Sequence, residues 1–498
     1  MNPQILVQLP LFFEPDLTCV ESEKHGDFIN LHDAWQHPEC LPTYMTRSLT
    51  IMRILDLIGP LDWVNFPERD LKQTFGFPPV PYAALIASEI IKLNENHQSL
   101  KQLHLFLSEH PGFISLLNFA PKYRLHDGFS FNTPPPVTCL PTERHLTRML
   151  REIPNTVLQF LLADSVHLIG LELAKHNVMW GDCISLDTKH TRSVAWVKEN
   201  NHKAYITERY NKLKQPVGDP DCRLGCKRRR YRPEAPQTPT KKPVSPKGVA
   251  IGEFYWGYGS GVVVTKVPLY GEFVLAELTL PFDNGDVSYF FPLMQVTEKR
   301  LGRRPLFGTF DAAFDAWYVY AHFYRDEHPE NGFAAVPFVG KGGKALKDRL
   351  FSPEGLPICT AGLPMPLKFA FTDRNTGKVE HERGKYVCPL LFPAKTADAC
   401  PIHHKRWSKG GCTAMMPTSP GARVRYTLDR DGKLYTETYK QRTAVERINS
   451  QAYKLGIERP YLRNGAAIAN QNTLIYLLIN LRFLHRLRNN ISQADDEF

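Results

Sequence analysis

The sequence has no run of about 18 uninterrupted apolar residues, the length that a helical membrane span requires. Its nearest approach, Ala466 to Leu481, is broken by Asn470, Gln471, Asn472 and Asn480. A basic leader is also missing: Met1 to Phe13 is apolar but runs directly into Glu14 and Asp16, a poor match to an export signal. Ten cysteines in 498 residues are too few for a disulfide framework, so the expected compartment is a reducing cytoplasm. Acids are in the minority, 51 against 61 lysines and arginines, for a net charge of +10. That balance favours a polyanionic partner and argues against an acidic enzyme of small molecules.

What remains is ordinary globular material, 43% hydrophobic and 22% charged, which excludes fibrous and wholly disordered classes. At roughly 150 residues per domain the length suggests two to four units. The positive charge is concentrated. Between Asn211 and Lys247 eleven basic residues, among them Arg228, Arg229 and Arg230, face three acids and are mixed with seven prolines. This composition predicts an extended, solvated insertion that either contacts phosphates or serves as a linker.

The chain reads in three blocks after an extension over 1–46. Residues 47–178 are helical by pattern: an apolar stripe (Leu49, Met52, Ile54, Leu55, Ile58) stops at Gly59-Pro60, and Tyr82 to Leu93 and Leu100 to Leu107 repeat the period. A loop follows at Thr133 to Pro136, then a helix start with Thr142 as N-cap and a helix over Val157 to Ala174. Such a domain either binds DNA, a helix-turn-helix being one way, or simply buttresses its neighbour. From Trp180 the pattern turns to strands. A short strand from Cys183 ends at Asp187, Gly261 to Val267 and Phe273 to Leu280 form two more, and Val287 to Leu301 is a helix. Pro305 to Phe310 is then a strand that delivers Asp311. The order predicts an α/β arrangement with a mixed sheet and two carboxylates at strand ends. Residues 332–429 are irregular, rich in Gly and Pro, and hold four cysteines; helix returns over Thr438 to Leu455, closed by Gly456, and again from Ala466 to Leu487.

On the helix over Thr438 to Leu455, Tyr439, Arg442 and Glu446 have spacings of three and four and share one face. A carboxylate able to hold a metal beside a guanidinium able to grip a phosphate fits chemistry on a nucleic-acid backbone. An ordinary helix salt bridge explains the same two residues. Asp182 and Asp315 compete with Asp187 and Asp311 as the acidic ligands. Asp182 precedes its strand, and Asp315 lies in a helical first turn where a carboxylate is often only stabilising.

Together these residues resemble the DDE transposases of bacterial insertion sequences, whose Tyr-x2-Arg-x3-Glu-x6-Lys signature surrounds the third acid. The matching strings are Ser185-Leu-Asp-Thr-Lys189, Asp311-Ala-Ala-Phe-Asp315 and Arg442-Thr-Ala-Val-Glu-Arg447, and the likeness covers about Trp180 to Arg463. The signature lysine would stand at Tyr453; here Lys454 follows one residue later, rotated by roughly 80° around the helix. The resemblance implies an RNase H-like catalytic domain over 179–463, with insertions at 211–247 and 332–429, and a C-terminal helix and tail over 464–498. It implies Asp187, Asp311 and Glu446 as catalytic ligands of two Mg²⁺ ions, for which Mn²⁺ could substitute. Tyr439, Arg442, Lys454 and Arg228 to Arg230 would contact DNA. The expected partners are the terminal repeats of the element and target DNA, bound by a homodimer on the nucleoid.

Cys359, Cys388, Cys400 and Cys412, with His403 and His404 beside Cys400, are candidate ligands of a structural zinc, although they lack paired Cys-x2-Cys spacing. Buried thiols without a metal are the other reading. Cys222 and Cys226 form a further pair in the basic segment. Against an active transposase stand two alternatives: a transposase-derived DNA-binding protein that has lost chemistry, and a metal-dependent nuclease without strand transfer.

Overall fold

The computed structural model describes residues 29–71, 79–119, 137–194, 218–230, 250–325, 332–338, 351–373, 381–396 and 398–495. Among the described residues the first eight α-helices are α1 (Leu31–Gln36), α2 (Thr43–Thr46), α3 (Leu49–Ile58), α4 (Tyr82–Asn94), α5 (Leu100–Glu109), α6 (Gly112–Leu116), α7 (Glu143–Glu152) and α8 (Asn155–Lys175). Ser48, Ser99 and Thr142 each accept a hydrogen bond from the backbone N–H three residues on, which satisfies a donor that the first turn cannot. The expected stripe on α3 is shifted: Ile51, Ile54, Leu55, Leu57 and Ile58 are buried, while Leu49 stands exposed at the first position. The loop expected over Thr133 to Pro136 and the apolar start of the chain lie outside the described residues. Among the described residues α8 is the one helix long and apolar enough to cross a membrane, and half of that apolar stretch is buried inside the protein.

A six-stranded mixed sheet follows: β1 (Cys183–Arg192), β2 (Arg223–Arg230), β3 (Ala250–Val267), β4 (Gly271–Pro281), β5 (Phe307–Thr309) and β6 (Phe333–Ala335), with α9 (Phe290–Leu301) and α10 (Trp317–Phe323) between them. β3 is antiparallel to β1, β2 and β4, whereas β5 runs parallel to both β1 and β6. Two expectations are corrected here. β1 does not end at Asp187 but continues to Arg192, because Thr188 to Arg192 pair with Gly261 to Gly257 of β3. The glycines of that stretch leave room for Tyr289: a Cβ at Gly259 or Gly261 would fall 2.5 or 2.4 Å from its side chain. The basic insertion, in turn, is not wholly an extended loop. Arg223 to Arg230 form β2 against Gly257 to Ala250, and the order strand, strand, strand, helix, strand gains a member. Residues 211–217 and 231–247 lie outside the described part, as do the side chains of 226–230.

Beyond β6 a separate three-stranded sheet, β7 (Leu367–Asp373), β8 (His381–Val387) and β9 (Thr413–Pro417), gives the cysteine-bearing block more order than its composition predicts. The chain then returns through α11 (Pro420–Thr427), α12 (Lys433–Lys440), α13 (Thr443–Lys454) and the 31-residue α14 (Gly465–Asp495). The spacing predicts one helix over Thr438 to Leu455; there are two. The ladder tightens to i→i−3 bonds at Gln441, Arg442 and Ala444, between helices that start at Lys433 and Thr443. Gly456 takes the left-handed position after α13 (φ +88°), as its sequence position predicts.

Each face of the main sheet carries its own core. Ile184, Leu186 and Val263 point into a cluster with α9, α10 and Phe483. Val262, Val264 and Val274 point the other way, against α13, α14 and the N-terminal helices. The asparagines that interrupt α14 are buried and bonded. Asn470 Nδ2 donates to the carbonyls of Leu150 and Ile153 (2.9 and 2.8 Å), and Asn480 exchanges bonds with both backbone groups of Val274. They sew α14 to α7 and β4.

Candidate active site

The site follows from one register pair. Ser185 of β1 lies beside Thr309 of the parallel strand β5. Two residues further along each strand direction stand Asp187, midway along β1, and Asp311, just past the end of β5, so both carboxylates lie where β5 stops. The side chains of the pair touch, Ser185 Oγ to Thr309 Oγ1 at 2.7 Å, and Ser185 Oγ also donates to the backbone carbonyl of Gln441 at 3.1 Å. Gln441 sits in the tight turn between α12 and α13. A single buried serine thus ties both carboxylate-bearing strands to the start of the helix that carries Glu446.

α13 lies on the sheet through Ala444, Val445, Ile448 and Ala452, leaving Glu446 on its open side. Asn449, one turn beyond Glu446, donates from Nδ2 to Asp187 Oδ2 (3.1 Å), and Asp187 Oδ1 accepts the Thr188 N–H (2.9 Å). Asn449 Oδ1 is shut off from solvent without a hydrogen bond. Asp311 caps a short 3₁₀ turn over Ala312–Phe314, accepting the Ala313 N–H at 2.8 Å. Glu446 is bound by Arg442 Nη1 at 2.7 Å and keeps 55% of its side chain exposed, against 22% for the arginine. Tyr439 is half-buried and stacked on Tyr435, with ring centroids 5.8 Å apart. Burial chiefly raises its hydroxyl's pKa; Arg442 opposes the rise, while Asp311 and Glu446 add to it. The spacing Tyr439, Arg442, Glu446 therefore survives the break between the two helices, because the residues across it keep helical backbone angles.

Both rival aspartates are otherwise engaged. Asp182 pairs with Arg303. Asp315 has no exposed side chain and receives Arg425 Nε and Nη2 at 2.7 and 2.6 Å, with the Tyr320 hydroxyl at 3.0 Å. Lys454 is exposed at the end of α13. The preceding Tyr453 faces Lys189, whose Nζ lies 5.4 Å from the ring centre and is paired with Glu458 at 2.8 Å. Lys189 is two residues beyond Asp187 on β1, so a lysine from the strand occupies the neighbourhood of position 453. Asn449, Thr309 and Gln441 carry no signal of their own in the sequence; i+3 spacing from Glu446 is the one hint for Asn449.

Among the described residues no group of three or more His, Cys, Asp or Glu side chains is gathered closely enough to hold an ion as placed. The donor set at the corner is nonetheless all oxygen, and the orphaned Asn449 Oδ1 beside Asp187 is a further hard acceptor, a composition that suits Mg²⁺ or Mn²⁺. In the cysteine-bearing block Cys359, Cys388 and Cys400 are buried and Cys412 is half-buried, all as free thiols. Burial, with Cys388 and Cys359 alongside, pushes the Cys412 thiol up to about 12. Cys222 is buried and its Sγ lies 3.2 Å from the Asp219 carbonyl. No known protein family, curated protein or solved structure matches the chain.

Proposed function

We propose that the chain is a DDE-type transposase with an RNase H-like core, which cleaves DNA at the ends of an insertion sequence and joins them to a target. The observation that carries this reading is the Ser185–Thr309–Gln441 junction, which brings three separated segments to one corner of the sheet with a carboxylate from each. Adjacent parallel strands presenting Asp187 and Asp311, with Glu446 on a helix packed over them, support the RNase H-like assignment.

In this reading Asp187, Asp311 and Glu446 would hold divalent cations. The chemistry such ions would supply is activation of an oxygen nucleophile and stabilisation of the leaving oxygen. The chain's own groups do the rest. Asn449 fixes the rotamer of Asp187. Arg442 holds Glu446 before substrate arrives and turns its fork to a phosphate oxygen when the backbone enters. Tyr439 lines the approach, while Lys454, Lys189 and the basic strand over Arg228 to Arg230 add distributed attraction for DNA. The partners are element ends and target DNA, held by two copies of the chain on the nucleoid in the cytoplasm.

The test is incubation with cloned ends of the element, a target plasmid and Mg²⁺. Nicked ends together with donor–target joints are expected. Nicks without joints would make the protein a nuclease, and bound but uncut ends would make it a DNA-binding descendant of a transposase.

A further inference from the structure

The cysteine-bearing block has a geometry that the chemistry at the carboxylates does not use. β8 and β9 are antiparallel with Val387 opposite Thr413, so the next positions outward, Cys388 and Cys412, face each other at the open end of the ladder. Residues directly opposite in this way have Cβ atoms roughly 4.5–5.5 Å apart. Cys412 packs against the small core that contains Cys359, and the Gly411 before it lies against Cys388. Gly410 and Gly411 (φ +93° and +75°) turn the chain back to bring Cys412 there; a Cβ on Gly411 would lie 2.7 Å from that of Cys388. Three of the four cysteines also open a tight turn, in which the N–H three residues on returns to the cysteine carbonyl. Gly362 returns to Cys359 (2.9 Å), Leu391 to Cys388 (3.2 Å) and His403 to Cys400 (3.0 Å).

The surrounding core is small. Cys359, Met365, Tyr386, Ala414 and Met416 are its buried members, while Leu367 and Phe369 of β7 stay 41% and 47% exposed. A unit with so little apolar burial needs a staple. As placed the four thiols do not enclose one point, but sulfur ligands at the ends of short turns are the soft donor set that selects zinc over Mg²⁺ or Mn²⁺.

We infer that Cys359, Cys388 and Cys412, with Cys400 as the fourth ligand, form a structural zinc site that closes the β7–β8–β9 unit. The basic loop between Cys400 and Cys412, with Lys405, Arg406 and Lys409 exposed, would then be held as a rigid projection. This site is independent of the carboxylate corner and stands whether or not that corner cuts DNA.

The experiment is metal analysis of the full chain purified from zinc-supplemented cells, followed by replacement with Co²⁺. One zinc per chain is expected, with cobalt giving the visible and sulfur-to-metal charge-transfer bands of a tetrahedral thiolate site. Cys388→Ser and Cys412→Ser should each lose the metal, and Cys40→Ser, at an exposed thiol elsewhere, should keep it. Because the serine variants could fail to fold, the cobalt spectrum of the unaltered chain decides. A chain without zinc and without thiolate–cobalt bands overturns the inference. So does a Cys388–Cys412 disulfide found by mass spectrometry of the freshly purified, unreduced protein.

Discussion

Asp311 and Asp315 are four residues apart and meet opposite fates. Asp315 is sealed: both its oxygens are taken by Arg425, Tyr320 adds a third bond, and solvent does not reach its side chain. Asp311 is half-exposed, accepts a backbone N–H, and stands two residues past the Thr309 that pairs with Ser185, two residues before Asp187. Glu277 repeats the closed pattern. Lying 5% exposed between β4, α8 and α14, it receives Thr279, Thr473 and Gln159 at 2.7, 2.8 and 3.0 Å. A carboxylate with every lone pair satisfied inside the protein is part of the framework, and one left facing solvent beside others of its kind is available for chemistry.

The sharpest test of this division is removal of the open acids. Asp187→Ala, Asp311→Ala and Glu446→Gln should each eliminate cleavage, by at least about a hundredfold, while melting temperature and DNA affinity stay near those of the parent. A variant that still cuts at the parental rate would strike its residue from the site. Asp315→Ala should do the reverse. Leaving Arg425 buried and unpaired costs about 3–5 kcal/mol of stability, read by denaturant titration, whereas the folded fraction should still cut.

Arg442→Lys is expected to bind element ends almost normally but to cut and join about tenfold more slowly, about 1.4 kcal/mol, because the charge remains and the planar fork is gone. Full activity in that variant would reduce Arg442 to a partner of Glu446. Glu277 supplies a pH test. Burial raises its carboxyl pKa above the ordinary value, so its contribution to stability is complete at low pH and is lost as pH rises through the raised value. Glu277→Gln should therefore remove the fall in stability that sets in as pH rises above the ordinary carboxyl range, and an unchanged curve would refute the assignment. The smallest effect concerns Arg228, Arg229 and Arg230. Neutralising them should weaken binding to all DNA sequences and reduce the slope of log affinity against log salt by about 0.9 for each phosphate that is no longer neutralised.

The elements that carry Asp187, Asp311 and Glu446 are legible because they rest on local signals: the apolar run before Asp187, the short strand before Asp311, and the helical spacing around Glu446. What escaped was set by tertiary pairing. β2 is basic and flanked by prolines, a loop composition, yet it is a strand because β3 offers it a partner. β1 outlasts its apolar part for the same reason. The break between α12 and α13 has no sequence mark, since Gln441 and Arg442 both keep right-handed helical angles and neither is Gly or Pro. Asn449 is an ordinary helix residue until folding brings Asp187 beside it. The asparagines of α14, which interrupt an apolar run in the sequence, are buried hydrogen-bonding groups in the fold.

That last helix has a consequence for how the protein comes into being. α14 is wedged among α3, α4, α7, α8, α13 and β4, and places side chains in both large cores and in the small one around Trp256. It is translated after every carboxylate of the corner. While a ribosome is still making the first 460 or so residues, the groove that will receive α14 stands open and apolar, a surface that invites chaperones or clumping. The cores on both faces of the sheet close only once α14 has emerged. A message cut short ahead of α14 would yield a protein with all three acids on a sheet and helices stripped of the helix that covers them.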